Sequence, residues 1–378
     1  MNNREIESPL ALYVHLPFCR VRCTYCAFAI STDQSIEDAY VDALINELKL
    51  RFPDDAGSSA IDSLYLGGGT PSRTSGENLR RLMEAIHQRL TFSPSCEITL
   101  EANPEDITHR TLDDWKALGV NRLSVGVQSL NDSELIPLGR AHGSSVALDA
   151  IHLAAQYPFR LNADLIVGLP GQSVDSFRRS LDTLLDSAID HLSLYILDLE
   201  QGSTLESQVR SGKRLLPPDE STVEMYRLAV DRLAEANFLQ YEISNFARPG
   251  CESRHNLRYW ARRPYVGVGM GAHSFLGRER SANTTDIHRY IDGLGSGAVP
   301  TEFREILSEE DIRHEQIFLS LRQTAGLEYA ALIGLTGEEG ASWVEQGLVG
   351  GWLSQHEGRV SFTSDGFLLS NDYISQLF

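Results

Sequence analysis

The chain has 378 residues, of which 42% are hydrophobic and 22% charged, and acidic residues outnumber lysine and arginine by 52 to 33. This length predicts one large α/β domain and a smaller one. The net charge of −19 argues against nucleic acid or an anionic membrane surface as the main partner. The amino terminus lacks a signal-peptide pattern and no apolar run approaches about 18 residues, so we expect a cytoplasmic protein without a membrane span.

Three of the five cysteines fall within residues 13–28, YVHLPFCRVRCTYCAF, at Cys19, Cys23 and Cys26. Thiolates this close repel one another and oxidise unless a soft cation holds them, so the run indicates a metal or iron–sulfur centre. Zinc is the rival, but a structural zinc site needs four ligands and no second cysteine pair follows. Three ligands leave one iron of a four-iron cluster open to a small molecule. Cys96 and Cys251 stand alone and are predicted to be ordinary buried residues.

Six strand-like runs alternate with helical patterns, which predicts a parallel sheet with helices. The runs are 11–16, 61–66, 97–101, 122–127, 161–167 and 192–197. Further on, helices are predicted at about 218–236 and 309–321, a loop-rich stretch at 244–285, a glycine hinge at 293–297 and a short strand at 359–363. The predicted division is a large domain over 1–290 and a small domain over 298–378. The large domain includes a segment at about 244–285 that carries the motif HNLRYW.

A glycine run and four isolated polar residues follow or interrupt the apolar strands. The run, GGGTP at 67–71, lets a ligand approach the backbone and offers N–H groups to a carboxylate or hydroxyl, although any tight turn can hold glycines. The polar residues are Glu101, Gln128, Arg140 and Asp164. A buried carboxylate needs a partner, so each of the four is as compatible with a structural role as with a functional one.

The stretch HNLRYW places His255 beside an aromatic pair, Tyr259 and Trp260. An imidazole in a loop suits an axial iron ligand, and the rings offer surface to a planar macrocycle, although a packed and hydrogen-bonded histidine fits equally. GVGMGA at 267–272 matches a dinucleotide fingerprint only loosely, without a βαβ context, and is not assigned to a nucleotide. His273 is predicted to be a core histidine.

The cysteine run, with Tyr25 just before its last cysteine, resembles the cluster loop of the radical S-adenosylmethionine superfamily. The resemblance implies a six-stranded partial (β/α) barrel and a [4Fe–4S] cluster on Cys19, Cys23 and Cys26. It also implies that S-adenosylmethionine closes the fourth iron. The residues expected to hold or pack against S-adenosylmethionine are Tyr13, Tyr25, Gly68, Gly69, Thr70, Glu101, Gln128, Arg140 and Asp164.

The carboxy-terminal part is similar to the small helical, winged-helix-like domain of the coproporphyrinogen-dehydrogenase-like branch. HNLRYW, together with Phe28 where oxygen-independent coproporphyrinogen III oxidases carry a further cysteine, resembles a haem-chaperone branch. That resemblance implies haem held by His255, Asn256, Tyr259 and Trp260 and passed to acceptor haemoproteins such as respiratory enzymes. It implies no catalytic residue. The alternative is an oxidase-like enzyme, in which the reduced cluster cleaves S-adenosylmethionine to a radical that acts on coproporphyrinogen III.

Overall fold

Six parallel strands form the centre of this computed structural model, which describes residues 9–53 and 59–378. They are β1 (Leu10–Leu16), β2 (Ser59–Gly68), β3 (Leu90–Ala102), β4 (Arg122–Gln128), β5 (Arg160–Val167) and β6 (His191–Ile196). Each strand pairs in parallel with the next in the chain, as the sequence predicts. The largest difference is β3, which begins seven residues before the predicted start and carries a register shift opposite β2.

Helices follow these strands and cover the sheet. They are α1 (Glu37–Arg51), α2 (Gly76–Arg89), α3 (His109–Ala117), α4 (Asp132–Leu138), α5 (Ser144–Ala154), α6 (Val174–Leu185), α7 (Thr204–Arg210) and α8 (Asp219–Glu235). Short 3₁₀ turns occupy Gln34–Ile36, Pro71–Arg73 and Pro104–Asp106. In α6, Ser173 and Ser176 form a reciprocal N-terminal cap, and Phe177, Leu181 and Leu184 are buried on one face. The helix therefore begins where its backbone donors are capped and packs by its apolar stripe.

The stretch predicted to be loop-rich is regular structure instead. Just before it comes β7 (Leu239–Gln240), and the stretch itself contains β8 (Asn245–Ala247), α9 (Arg254–Trp260), β9 (Tyr265–Val268), β10 (His273–Leu276) and β11 (Glu279–Asn283). These elements are too short to show a period in the sequence, and they are ordered by pairing: β9 lies against β1, and β8 lies against β6. His273, predicted to be in the core, is exposed at the start of β10.

The predicted glycine hinge is also wrong in its first half. Helix α10 (Ile287–Gly295) runs through Gly293 and Gly295, with Leu294 buried against the main core. Strand β12 (Thr301–Ile306), which the predicted division gives to the small domain, pairs with β11 at the edge of the large sheet. We therefore propose that the two parts of the chain divide near Leu307.

The carboxy-terminal part has its own apolar core and a three-stranded antiparallel sheet. Its elements are α11 (Glu309–Leu321), β13 (Leu327–Glu328), α12 (Tyr329–Val349, interrupted at Gly337), β14 (Leu353–His356), β15 (Arg359–Phe362), α13 (Ser364–Leu368), α14 (Ser370–Ile374) and a 3₁₀ turn, Ser375–Leu377. Trp343, Phe362 and Tyr373 pack together at the centre of this core. Helices with a small β-wing match the predicted winged-helix-like part. Across the described ranges, the chain contains no helix that combines the length and apolar character needed to cross a membrane.

Candidate functional site

The loop that carries the three clustered cysteines leaves β1 at Pro17 and is closed at its base. Cys19 N donates to Ser31 O at 2.9 Å, and Ser31 N donates to Pro17 O at 2.9 Å. Halfway along, Thr24 N donates to Leu138 O at the end of α4, at 3.0 Å. The loop is therefore fixed both to its own strand and to the opposite side of the partial barrel.

The exposed side chain of Arg22 holds the second half of this loop in place. Its guanidinium donates to the carbonyl oxygens of Cys26, Phe28 and Ile30 at 3.4, 3.2 and 3.4 Å. A fork of N–H donors suits several acceptors at once. The turn after the last cysteine is thereby held by a side chain.

The three cysteines line one cavity, and two of their thiols have partners suited to thiolates. Cys19 Sγ lies 3.3 Å from Thr70 Oγ1, and Arg140 Nη1 donates to Cys23 Sγ at 3.7 Å. Burial raises the pKa of Cys19 to about 11, so a bound cation is needed to keep it a thiolate at neutral pH. The donor set fits an iron–sulfur cluster, which attaches each thiolate to a different iron. Among the described side chains, no three His, Cys, Asp or Glu converge on a single metal ion.

The glycine run after β2 is required by close packing under the cluster loop. Gly68 has a φ of +112°, and a Cβ there would lie 2.5 Å from the His15 ring. A Cβ on Gly69 would lie 2.4 Å from the carbonyl oxygen of Pro17. Larger residues would therefore displace the start of the cysteine loop.

The backbone N–H groups of this run are already used within the protein. Gly68 N donates to Glu101 Oε2 at 3.1 Å, and Gly69 N donates to Leu16 O at 2.9 Å. Thr70 N donates to Phe18 O at 3.1 Å. The expectation that these N–H groups bind a ligand carboxylate is therefore wrong for this arrangement. The run shapes the cavity floor.

Glu101, at the end of β3, lies on the cavity wall. Tyr65 OH donates to Glu101 Oε1 at 2.8 Å, yet burial raises the pKa of Glu101 to about 7. Gly68 N donates to the other carboxylate oxygen, so the raised pKa reflects burial rather than a missing partner. A buried carboxyl with a raised pKa in a cleft is typical of a functional position. Tyr65 is a supporting residue that the sequence did not single out.

Asp164, on β5, is the second carboxylate of the cavity. Asn162 Nδ2 donates to its Oδ1 at 2.7 Å, and Ser124 Oγ lies 3.4 Å from both carboxylate oxygens. Burial raises the pKa of this carboxyl as well. The two acids therefore face the same space from neighbouring parts of the sheet.

Arg140 supplies the positive charge of the cavity. Its Nη2 donates to Asn103 Oδ1 at 2.7 Å and to Gly126 O at 2.8 Å, while its Nε has no partner among the described residues. Gln128 lies beside it with a φ of 66°, a strained conformation that folds retain mainly at functional positions. The sequence analysis did not identify Asn103, although a polar residue directly after β3 and two positions after Glu101 was a usable signal.

The cavity at the carboxyl ends of the strands measures about 390 Å³. Its wall includes all but one of the residues expected to bind the cluster and S-adenosylmethionine: Cys19, Cys23, Tyr25, Cys26, Gly68, Gly69, Thr70, Glu101, Gln128, Arg140 and Asp164. The exception is Tyr13, whose OH lies 3.1 Å from His15 Nδ1 and whose ring stacks on Tyr65 at 6.2 Å. Tyr13 therefore supports the wall from behind. Neither Cys96 nor Cys251 reaches the cavity wall; Cys96 is buried, as expected, and Cys251 is half-buried.

The HNLRYW residues form helix α9, which packs at the opposite ends of the strands. His255 is 1% exposed, and its Nδ1 lies 3.1 Å from Ser63 Oγ while its Nε2 lies 3.0 Å from Tyr259 OH. Burial lowers its pKa to about 3, so the ring is neutral. Both ring nitrogens have hydrogen-bond partners, so the role of axial iron ligand, which the sequence resemblance implies for this histidine, would require one of these bonds to break.

Other contacts fix α9 in that place. Glu97 Oε1 accepts from His255 N at 3.1 Å and from Ser253 Oγ at 3.4 Å, and the guanidinium of Arg258 grips the carboxylate of Asp62 with two donors. Asn256 and Trp260 are half-buried on the same helix, and Trp260 O accepts from Gln323 at 3.3 Å. Helix α9 therefore fills the amino-terminal end of the partial barrel.

Known proteins resemble both the sequence and the fold. Residues 13–184 match the family model of the Radical SAM superfamily. Heme chaperone HemW of Bacillus subtilis (strain 168) is 36% identical over 372 residues, which cover 95% of this chain and 97% of that protein. HemW of Mycobacterium tuberculosis (strain H37Rv) is 35% identical over 98% of this chain and 95% of its own length. The solved structure of coproporphyrinogen III oxidase (HemN) from Escherichia coli, a radical SAM enzyme, has a TM-score of 0.85 at 24% identity, covering 98% of this chain and 90% of that one.

A three-cysteine loop at the mouth of a partial (β/α) barrel defines the class, and the chain belongs to the radical SAM superfamily. The cofactors of that class are a [4Fe–4S] cluster and S-adenosylmethionine. Within the superfamily, the near full-length similarity places the chain in the HemW family.

Proposed function

We propose that the chain is a haem chaperone, which binds haem and passes it to acceptor haemoproteins, with respiratory enzymes as the expected acceptors. The observation that carries the proposal is the 36% identity to a heme chaperone over 97% of that protein's length. Phe28 supports it, since the oxidase-like alternative has a further cysteine at that position.

We further propose that Cys19, Cys23 and Cys26 hold the cluster and that Arg140 offsets their negative charge. When bound, the cluster offers one open iron to the amino and carboxylate groups of S-adenosylmethionine. Glu101 and Asp164 accept hydrogen bonds from that ligand's hydroxyls. Gly68 and Gly69 keep the cavity floor low enough for the ligand, because a Cβ on them would meet the His15 ring or the Pro17 carbonyl group. Thr70 supports the cluster loop through its contact with the Cys19 thiol.

The test is haem binding and transfer by protein reconstituted with its cluster under anaerobic conditions. We expect a Soret band that grows with added haem and recovery of activity when the loaded protein is mixed with an apo-haemoprotein. Protein in which the three cluster cysteines are serine serves as the control for cluster dependence. Formation of protoporphyrinogen from coproporphyrinogen III, with no haem transfer, would support the oxidase-like alternative instead.

A further inference from the structure

A series of hydrogen bonds links the cavity to side chains deeper in the partial barrel. It crosses the neighbouring strands β5 and β6, where Asn162 and His191 lie opposite each other. Asn162 Nδ2 donates to Asp164 Oδ1 at 2.7 Å, and Asn162 Oδ1 lies 2.6 Å from His191 Nδ1. On the far side of the ring, His191 Nε2 lies 2.8 Å from Tyr241 OH, which accepts from Ser253 N at 3.3 Å. The series therefore ends at a carboxylate of the cavity wall.

The direction of each hydrogen bond in this series follows from the charge state of the histidine. Burial, with the nearby charge of Arg122, lowers the pKa of His191 well below its ordinary value, so the ring is neutral and carries one proton. An amide oxygen only accepts, so that proton is on Nδ1, which faces Asn162 Oδ1. His191 Nε2 then accepts from the hydroxyl of Tyr241. Each donor in the series thus points toward Asp164.

The amide of Asn162 has two possible orientations, and His191 selects one of them. With Oδ1 on the histidine side, Nδ2 faces Asp164 Oδ1 at 2.7 Å, Ser124 Oγ at 2.7 Å and Ser193 Oγ at 3.0 Å. The reversed amide would turn its oxygen toward the carboxylate, so that two acceptors would face each other. His191 is 1% exposed and Asn162 3%, so a polar atom left there without a partner is costly.

We propose that His191 is a positioning residue of the S-adenosylmethionine site: its Nδ1–H fixes the Asn162 amide, which then donates to Asp164 and keeps that carboxylate ionised. The inference rests on the proposed function, in which Asp164 accepts from a hydroxyl of that ligand. Burial raises the pKa of Asp164, whereas a hydrogen bond donated to the charged form opposes that rise. His191 lies outside the cavity wall, so it acts on the ligand through Asn162.

The first test compares His191→Leu with His191→Asn, which introduce side chains of the same branched shape. Asn keeps an N–H donor near the position of Nδ1, whereas Leu keeps none. In cluster-loaded protein, we expect the affinity for S-adenosylmethionine to fall about tenfold in His191→Leu and about threefold or less in His191→Asn, the effect of one hydrogen bond to an ionised group. Calorimetric titration measures this, with iron content expected to be unchanged in both variants.

The pH dependence of the same affinity separates a loss of ionisation from a general loosening of the site. Without its amide donor, the pKa of Asp164 should rise further. The pH below which affinity falls should therefore rise by up to about one unit in His191→Leu and stay near the wild-type value in His191→Asn. Both variants retain the other charged or titratable groups that interact with Asp164, which are Arg140, Glu101, Tyr65 and Tyr195.

A double-variant cycle tests whether His191 acts through Asn162. Asn162→Leu removes the amide, so the addition of His191→Leu should weaken the ligand no further. Tyr241→Phe removes the hydroxyl that donates to His191 Nε2, and we expect a loss of about threefold in affinity. Tyr226→Phe is the matched control, because it removes a buried hydroxyl outside the series, which accepts from Gln240 at 3.0 Å, and should leave affinity unchanged.

The proton position can be read without any substitution, by ¹⁵N NMR of the histidine rings in cluster-free protein. We expect a protonated Nδ1 and an unprotonated Nε2 in His191; the opposite arrangement overturns the inference. Equal affinities in His191→Leu and His191→Asn, whether both match the wild type or both fall alike, also overturn it, as do losses that add in the double variant. In these cases the proposed function stands if Asp164→Ala still weakens S-adenosylmethionine. Unchanged affinity in Asp164→Ala would instead refute the role given to Asp164 under the proposed function, and the inference with it.

Discussion

The two ends of strands β1 to β6 both carry polar side chains, but they use them differently. At the amino-terminal end, His255, Glu97 and Arg258 find partners within the protein. At the carboxyl-terminal end, Glu101 and Asp164 face a cavity with raised pKa values. At the first end these side chains are paired within the protein, and the second end is arranged around a space.

This difference shows how little a residue's type reveals without its place on the strand. A histidine beside aromatic residues and a glutamate in an apolar strand are equally suggestive in the sequence. In a parallel (β/α) fold, however, the loops after the strands build the binding site, whereas the other end contributes stability. HNLRYW lies at the stabilising end, and its contacts with the strands close that end of the partial barrel.

The largest effect is expected where the cavity loses its cluster ligands. Replacing Cys19, Cys23 and Cys26 together with serine should abolish bound iron and sulfide, because the remaining wall offers no soft donors. Iron and sulfide analysis after anaerobic reconstitution measures this. Cys96→Ser should retain the full iron content; an equal loss in that variant would mean that the ligands are misassigned.

Removing contacts between helix α9 and the strands should lower the free energy of unfolding without changing cluster binding. Glu97→Ala removes the acceptor for His255 N and the carboxylate 4.0 Å from Arg122, which is buried. Leaving a buried charge without its partner costs about 3 kcal/mol, which urea unfolding of the cluster-free protein would reveal. Asp175→Ala, in an exposed ion pair, should cost about 0.5 kcal/mol or less. Equal losses in the two variants would argue against this closing role of α9.

At the cavity end, removing one carboxylate should reduce ligand affinity more than it reduces the stability of the fold. Glu101→Gln should lower the affinity of cluster-loaded protein for S-adenosylmethionine by about ten- to a hundredfold, the loss of a charge-assisted hydrogen bond. Calorimetric titration measures this, with Glu206→Gln, on helix α7 and outside the cavity wall, as the control. Unchanged affinity would place the ligand elsewhere in the cavity.

The same carboxyl should leave a pH signature in the cluster-free protein. Glu101 and Glu242 have pKa values of about 7, raised by burial above the ordinary 4.5. Each therefore contributes stability that is complete below pH 4.5 and is lost as the pH rises through 7. Between pH 5.5 and 8, Glu101→Gln should lose about 1–2 kcal/mol less unfolding free energy than the wild type. Glu242→Gln should give a similar change, and identical pH profiles for all three proteins would contradict the assignment.

Much of the fold and of the cavity can be predicted from the sequence because the signals are local. Apolar runs such as 122–127 and 161–167 mark strands whose ends the structure places within one residue of the prediction. The C-x3-C-x2-C spacing identifies the cluster loop. Glu101 and Asp164 stand out because a carboxylate is unusual in an apolar strand.

What the sequence could not provide depends on pairing between distant segments. Strands β9 to β11 have only four or five residues each, too few to show a period, and β9 is ordered by pairing with the distant β1. His255 is held by Ser63, almost two hundred positions away in the chain. The difference between a ligand and a packed histidine is set by that contact, which no local pattern contains.

The most direct test of this contrast is a haem titration of His255→Gln in protein that retains its cluster. Gln keeps a polar, uncharged side chain in the buried position but does not replace an imidazole as an iron ligand. Because both ring nitrogens of His255 have hydrogen-bond partners within the protein, we predict a Soret band at the wild-type position and an unchanged haem dissociation constant. A folded, cluster-loaded variant with a shifted or missing Soret band would contradict the account and return haem to α9.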